Sequence, residues 1–178
     1  MSERVALIGL SGAGKTTVAP KVAARLGCDW IDLDREIARA AGADVPTLIR
    51  GEGEAAFRAR EAAALRTALE EDRRPRLVVA CGAGALLLPE NRARLGTGVV
   101  TVWLRVAPGM AAERLGLAPE AARPLLTGDA PEARLRALWE ARRAAYEAAA
   151  TGAVDTDGRS PDEVADLVAA LVREAGWA

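Results

Sequence analysis

Short apolar runs alternate with stretches of helical periodicity along the whole chain, the pattern of parallel strands joined by right-handed helical crossovers. Five runs rich in β-branched or large apolar residues predict strands at Arg4–Ile8, Asp29–Asp32, Leu77–Cys81, Val99–Arg105 and Ala153–Thr156. The first helix runs to Leu26 and ends at Gly27, a residue suited to the left-handed conformation past a helix end. Within it Pro20 lacks the N–H that would bond the Thr16 carbonyl, which predicts a kink. Asp34–Ala41 reads as a short helix stopped by Gly42, and Val45–Arg50 as a brief turn. A long helix is expected over Glu52–Glu71, with Ala56, Ala63 and Leu69 spaced for a buried stripe. Arg73-Arg74-Pro75-Arg76 closes it as a solvated turn. Pro89 and Pro108 open helices reaching Leu95 and Leu115, as proline does in a first turn. Gly116–Ala130 has no sustained periodicity and reads as a mobile lid, after which Pro131–Ala150 and Pro161–Ala175 supply two long helices. The expected class is α/β: one five-stranded parallel sheet in a three-layer arrangement with helices.

Composition narrows this picture. A chain of 178 residues suits one domain, and at that size folding buries roughly 70% of the unfolded surface. A net charge of −1, without Lys/Arg-rich runs or interleaved aromatics, disfavours nucleic acid and anionic membranes as partners. The amino terminus enters a strand directly, and no apolar stretch approaches the roughly 20 residues of a membrane span, so a cytoplasmic protein is expected. Cys28 and Cys81 lie far apart and the chain has no histidine, which argues against a zinc site or a structural disulfide. Trp30, Trp103 and Trp139 are expected in or near the core, and Trp177 in a fraying terminus.

The strongest chemical signal is Gly9-Leu10-Ser11-Gly12-Ala13-Gly14-Lys15-Thr16, placed between the first strand and a helix that opens at Thr17. This is a P-loop in its expected setting. Its glycines let successive N–H groups, those of Gly12, Ala13, Gly14, Lys15, Thr16 and Thr17 among them, turn inward around phosphate oxygens. Lys15 reaches the terminal phosphates, the Thr16 hydroxyl suits Mg²⁺, and the positive end of the helix dipole points to the same place. A glycine turn that binds nothing is the alternative, and the agreement of strand, loop and helix weighs against it. Lysine usage supports the reading. Of 24 basic residues only Lys15 and Lys21 are lysine, so the chain keeps a compact ammonium where a guanidinium is too large.

Other candidates are less distinctive one by one. Asp32 and Asp34 end the second strand at the edge where open α/β sheets place ligands, and alternation points them to the same side. One suits a Mg²⁺ shell and the other an acceptor hydroxyl, while Asp34 equally suits the cap of a helix beginning at Arg35; the two readings are compatible. Arg58, after the single phenylalanine Phe57, suits a carboxylate beside a flat apolar ring, though alone it reads as a solvated helix arginine. Cys81-Gly82-Ala83-Gly84 ends the third strand as a plain turn or as a loop whose N–H groups approach a ligand. Arg123 lies in the lid segment, where an arginine can neutralise charge on a transferred phosphoryl group. Arg142 shares a helix face with Tyr146.

Taken in order, the Gly9–Thr16 loop, Asp32-Leu33-Asp34, the Gly-Glu then Phe57-Arg58 and Glu61 segment, the glycine loop after strand three, Arg123-Pro124-Leu125-Leu126, and Arg142 before Tyr146 resemble the successive motifs of the shikimate kinase family over nearly the whole chain. The resemblance implies strand order 2-3-1-4-5, a substrate-binding subdomain over residues 37–63, and a lid over 116–130. It implies ATP and Mg²⁺ as cofactors, and a monomer that phosphorylates the 3-hydroxyl of shikimate in aromatic amino-acid biosynthesis. By the same likeness Arg58 and Arg142 clamp the acceptor carboxylate, Asp34 and the Gly82, Ala83, Gly84 loop hold ring hydroxyls, Arg123 is the lid arginine, and Arg114, Arg159 and Pro161 lie near the nucleotide base. Thr16 and Asp32 would hold the metal. Three features depart from the family pattern: Ala83 replaces a glycine, the segment between Arg114 and Arg123 is about two residues longer, which bears on lid closure, and Ala144-Ala145 replace the usual proline and leucine. Rival readings are a kinase for gluconate or a nucleoside monophosphate, which would share the P-loop alone, and a nucleotide-binding regulatory domain without catalysis.

Overall fold

The computed structural model describes residues 3–116 and 131–177. Five parallel strands, β1 (Glu3–Ile8), β2 (Asp29–Asp32), β3 (Arg76–Ala80), β4 (Val100–Arg105) and β5 (Gly152–Asp155), form one sheet in the order β2-β3-β1-β4-β5. Strand β1 is central, pairing Leu7 with Ala80 on one side and with Val102 on the other. Val5 to Ile8 are almost wholly buried, which is why the sequence there is a continuous apolar run rather than an alternation. Each predicted strand is present with its ends displaced by no more than one residue.

The helices are α1 (Lys15–Leu26), α2 (Leu33–Ala41), α3 (Val45–Glu52), α4 (Glu54–Arg66), α5 (Pro89–Leu95), α6 (Pro108–Gly116), α7 (Pro131–Ala149) and α8 (Pro161–Glu174). Helix α1 runs through Pro20 to its left-handed cap at Gly27. The long helix expected over Glu52–Glu71 is instead divided. Gly53, at φ 88° and ψ 160°, breaks the chain between α3 and α4, and Thr67–Glu71 widens into a π-helical turn. The buried face of α4 is Phe57, Arg58, Glu61, Ala62 and Leu65; of the predicted stripe Leu69 is buried in the π-helical turn, Ala56 is half-buried and Ala63 is exposed. Ile37, Leu48 and Phe57 form a small second core that ties α2, α3 and α4 together, apart from the main core around the sheet.

Two further expectations are corrected. Trp177 does not fray: it is 7% exposed, belongs to the main core and has the Arg76 guanidinium 5.7 Å from its ring centre. The turn at Arg73–Arg76 is anchored rather than merely solvated. Buried Arg4 donates to the carbonyls of Ala68, Asp72 and Arg74 at 3.1, 2.8 and 3.0 Å.

The strand order decides where a site can form. From β1 the chain moves towards β2, and from the adjacent β3 it moves the opposite way to β4. Right-handed crossovers therefore send the two connections to opposite faces, opening a crevice at the carboxyl ends of β1 and β3.

Candidate functional site

The loops leaving β1 and β3 face that crevice. After β1, Gly9, Gly12 and Gly14 all have positive φ, and Gly12 is held at 83° with room for no side chain, since a Cβ would sit 2.9 Å from the Ala111 carbonyl. Gly14 caps α1, so the unpaired N–H groups of the first helical turn open into the loop. Lys15 is buried and its Nζ donates to the Gly9 and Leu10 carbonyls at 2.7 and 2.9 Å, which fixes the ammonium over the loop. The Thr16 hydroxyl donates to Asp32 Oδ2 at 2.5 Å.

Asp32, the last residue of β2, also caps α2 by accepting from the Arg35 N–H at 3.2 Å. The cap role read for Asp34 therefore belongs to Asp32. Asp34 lies in the first turn of α2, where strand alternation no longer applies, yet both carboxylates line the cleft. Asp34 Oδ1 is buried without a hydrogen-bond partner among the described residues. Burial, with the Glu61 and Asp32 charges nearby, pushes the Asp34 carboxyl up to about 6 against the pull of Lys15 and Arg58.

The loop after β3 is packed against α4. At Gly82 a Cβ would strike the Glu61 carboxylate and approach Asp34, and at Gly84 it would overlap the Arg58 guanidinium. Both glycines stand against the ends of side chains, which would have to move to admit a Cβ. Arg58 binds Glu61 at 2.8 Å and Glu54 at 3.0 Å, and its guanidinium carbon stands 5.4 Å from the Phe57 ring centre. Phe57 is 3% exposed and serves the subdomain core rather than an open platform for a ligand ring. Glu61 is completely buried, and burial raises its carboxyl above the ordinary value although Arg58 opposes the shift. From α7, Arg142 Nη1 and the Tyr146 hydroxyl both donate to the Ala83 carbonyl at 2.9 Å.

Between the P-loop and the loop after β3 lies a cleft of about 600 Å³, which Arg58, Glu61, Gly82, Gly84 and Arg142 do not line. It is lined by Ser11 through Val18, by Asp32, Asp34, Cys81 and Ala83, and by Arg114, Leu115, Thr156, Arg159, Pro161 and Val164. Arg114 donates to the Gly12 carbonyl at 3.2 Å and to Thr156 Oγ1 and O at 3.0 and 2.7 Å, while Arg159 donates to the Asp155 carbonyl at 2.8 Å. Gly82, Gly84 and Arg58 lie together beside Asp34, with Arg142 on the intervening Ala83. Arg123 falls outside the described residues. Thr156, a buried residue just beyond β5, carries no motif of its own in the sequence; its place at the carboxyl edge of the sheet is the available signal. Glu61 was noticed only as part of a family pattern, although its spacing of three from Arg58 allows the buried pair.

A glycine loop that opens helix N–H groups beside a buried lysine, a hydroxyl bonded to a carboxylate, and a second loop met by acids from α2 and α4 and by arginines from α4 and α7 define a P-loop kinase. The family model described as shikimate kinase matches residues 11–173. The chain is 45% identical over 170 residues to the shikimate kinase of Thermobifida fusca (strain YX), covering 96% of this chain and 95% of that one. It is 44% identical over 173 residues to the shikimate kinase of Streptomyces coelicolor, covering 96% and 97%. The structure of shikimate kinase from Acinetobacter baumannii in complex with shikimate superposes with a TM-score of 0.90 at 30% identity, covering 99% of this chain and 96% of that chain. The chain belongs to the shikimate kinase family.

Proposed function

We propose that the chain transfers the γ-phosphoryl group of ATP to the 3-hydroxyl of shikimate. The observation that carries this reading is the convergence of Asp34, Glu61, Arg58 and Arg142 on the Gly82 to Gly84 loop, at the end of a cleft that begins in the P-loop. Such a setting offers an acid acceptor a guanidinium for its carboxylate and backbone N–H groups and Asp34 for its hydroxyls. Arg58 and Arg142 take the carboxylate. Asp34, with an unpartnered oxygen, orients the acceptor hydroxyl and receives its proton late, since a loose phosphoryl-transfer transition state needs little prior deprotonation. Lys15 and, from the lid segment, Arg123 offset charge on the transferred group. Arg114, Arg159 and Pro161 border the nucleotide base, and residues 37–63 act as the acceptor-binding subdomain.

Thr16 and Asp32 fit Mg²⁺, because a hydroxyl already in contact with a carboxylate is the hard oxygen donor set that this ion prefers. Bound there, the ion would neutralise phosphate charge. A monomer is the oligomeric state expected from the family likeness, to be checked by light scattering.

The test is ADP release with shikimate, quinate, gluconate and AMP offered separately. Turnover with shikimate well above the other three is expected. Preference for gluconate or AMP would overturn the assignment, and nucleotide binding without turnover on any acceptor would favour a regulatory domain.

A further inference from the structure

We infer that Tyr146 is a positioning residue of the acceptor site: its hydroxyl holds the Ala83 carbonyl so that the Gly82 to Gly84 loop keeps its shape when Arg142 turns to an anionic acceptor. The inference rests on the proposed reading of that loop as the place where the acceptor binds. Its basis is one carbonyl oxygen with two unlike donors, Arg142 Nη1 and the Tyr146 hydroxyl, both at 2.9 Å and one turn apart on α7.

Tyr146 is the fixed member of the pair. It is 1% exposed, and its ring stacks on Trp103 of β4 with centres 5.6 Å apart and planes 23° from parallel. Burial pushes its hydroxyl up to about 12, so it donates over the whole working range of pH. Arg142 is half-buried on the same face. A guanidinium carries five N–H donors, and its bonds to a carboxylate are roughly twice as strong as those to a neutral acceptor. An incoming carboxylate therefore draws Arg142 away from a carbonyl more readily than anything draws Tyr146.

The remainder of the loop is already held from other sides. Asn91 donates to the Ala85 carbonyl at 2.9 Å, Arg92 donates to Leu86 at 2.8 Å, and the glycines press on Glu61 and Arg58. Ala83 is where α7 secures it. Were Tyr146 to lose its hydroxyl, engagement of Arg142 by the acceptor would leave a half-buried carbonyl without either donor from α7, and the backbone on either side would be free to shift. The penalty falls on acceptor binding and leaves the nucleotide side untouched.

Tyr146→Phe removes one oxygen and keeps the stack on Trp103. The apparent KM for shikimate is expected to rise about five- to tenfold, the scale of one lost hydrogen bond, with the KM for ATP and kcat each within about twofold of wild type. An unchanged shikimate KM, or an equal rise in both KM values, overturns the inference, since a purely structural tyrosine would move both or neither. A second measurement needs no turnover: melting temperatures of Arg142→Met, Tyr146→Phe and the double variant without ligands. The double variant should lose more than the two single losses together, because only it orphans the carbonyl; strict additivity counts against a shared acceptor. The rate of the unmodified protein on shikimate separately decides the proposed function, whereas the melting cycle stands whatever acceptor the enzyme uses.

Discussion

At the scale of single residues, the site depends on placing charges where water is scarce. Lys15 is buried with its Nζ bonded to two loop carbonyls, so Lys15→Ala is expected to fold with some loss of stability and to lose phosphoryl transfer by roughly 10³-fold or more; an unfolded variant or undiminished turnover would refute this role. Asp34 makes a sharper case because its carboxyl is held at about 6, above the ordinary 3.8. A raised carboxyl means that the folded state binds the proton more tightly than the unfolded state. Stability contributed by this group is thus present below pH ~4 and lost as pH rises towards ~6, at a cost of about 2 to 3 kcal/mol that persists at neutral pH. Asp34→Asn should therefore be more stable than wild type at pH 8, equal to it near pH 4, and slower in turnover by roughly 10²-fold or more. Denaturant titrations at both pH values check the stability; a variant no more stable at pH 8 would show that the carboxylate is well solvated. The placement of Lys15 and Thr16 was legible in the sequence because it follows from local spacing, and that of Asp32 because it ends a strand at the edge where such sheets place ligands. Glu61 was not, since nothing local tells a buried carboxylate on a helix from a solvated one.

At the scale of elements, the strands were the most legible. Central parallel strands are buried on both faces and appear as unbroken apolar runs, which need no knowledge of their neighbours. Helix α4 was harder. Alanines on several faces blur its period, and its buried side carries Arg58 and Glu61, which a hydrophobic pattern assigns to solvent. The break at Gly53 was equally hidden, because a glycine within a helical stretch is tolerated at modest cost unless tertiary structure uses its freedom. The contact between α4 and the loop after β3 offers its own test. In Gly84→Ala the new Cβ would overlap the Arg58 guanidinium, which must leave Glu61 to make room. Separating that buried pair should cost about 1 to 3 kcal/mol and raise the KM for shikimate. A similar loss of stability with an unaltered KM would show that Arg58 holds the subdomain together without touching the acceptor.

At the scale of the whole molecule, the sheet places the loops after β1 and β3 side by side. The loop after β1 and the adjoining parts of α6 and α8 bring Lys15, Arg114, Arg159 and Pro161 to the cleft, while α2, α4 and α7 bring two acids and two arginines to the loop after β3. Because β1 and β3 are neighbours whose connections leave in opposite directions, the two sets meet across one crevice although their supports differ. The small core of Ile37, Leu48 and Phe57 gives α2, α3 and α4 a support apart from the main core. Ligand-linked stability should reveal this division. A ligand that binds only the folded state at one hundred times its Kd stabilises by about 2.7 kcal/mol, and for a chain of this size that raises Tm by roughly 5 to 10 °C. ADP with Mg²⁺ and shikimate should each produce such a shift in the wild-type protein at concentrations scaled to its own Kd values. At those same concentrations Lys15→Ala should lose most of the ADP shift and keep the shikimate shift, and Arg58→Ala should do the reverse. Loss of both shifts in both variants would mean that the nucleotide and acceptor sides fold and bind as one unit.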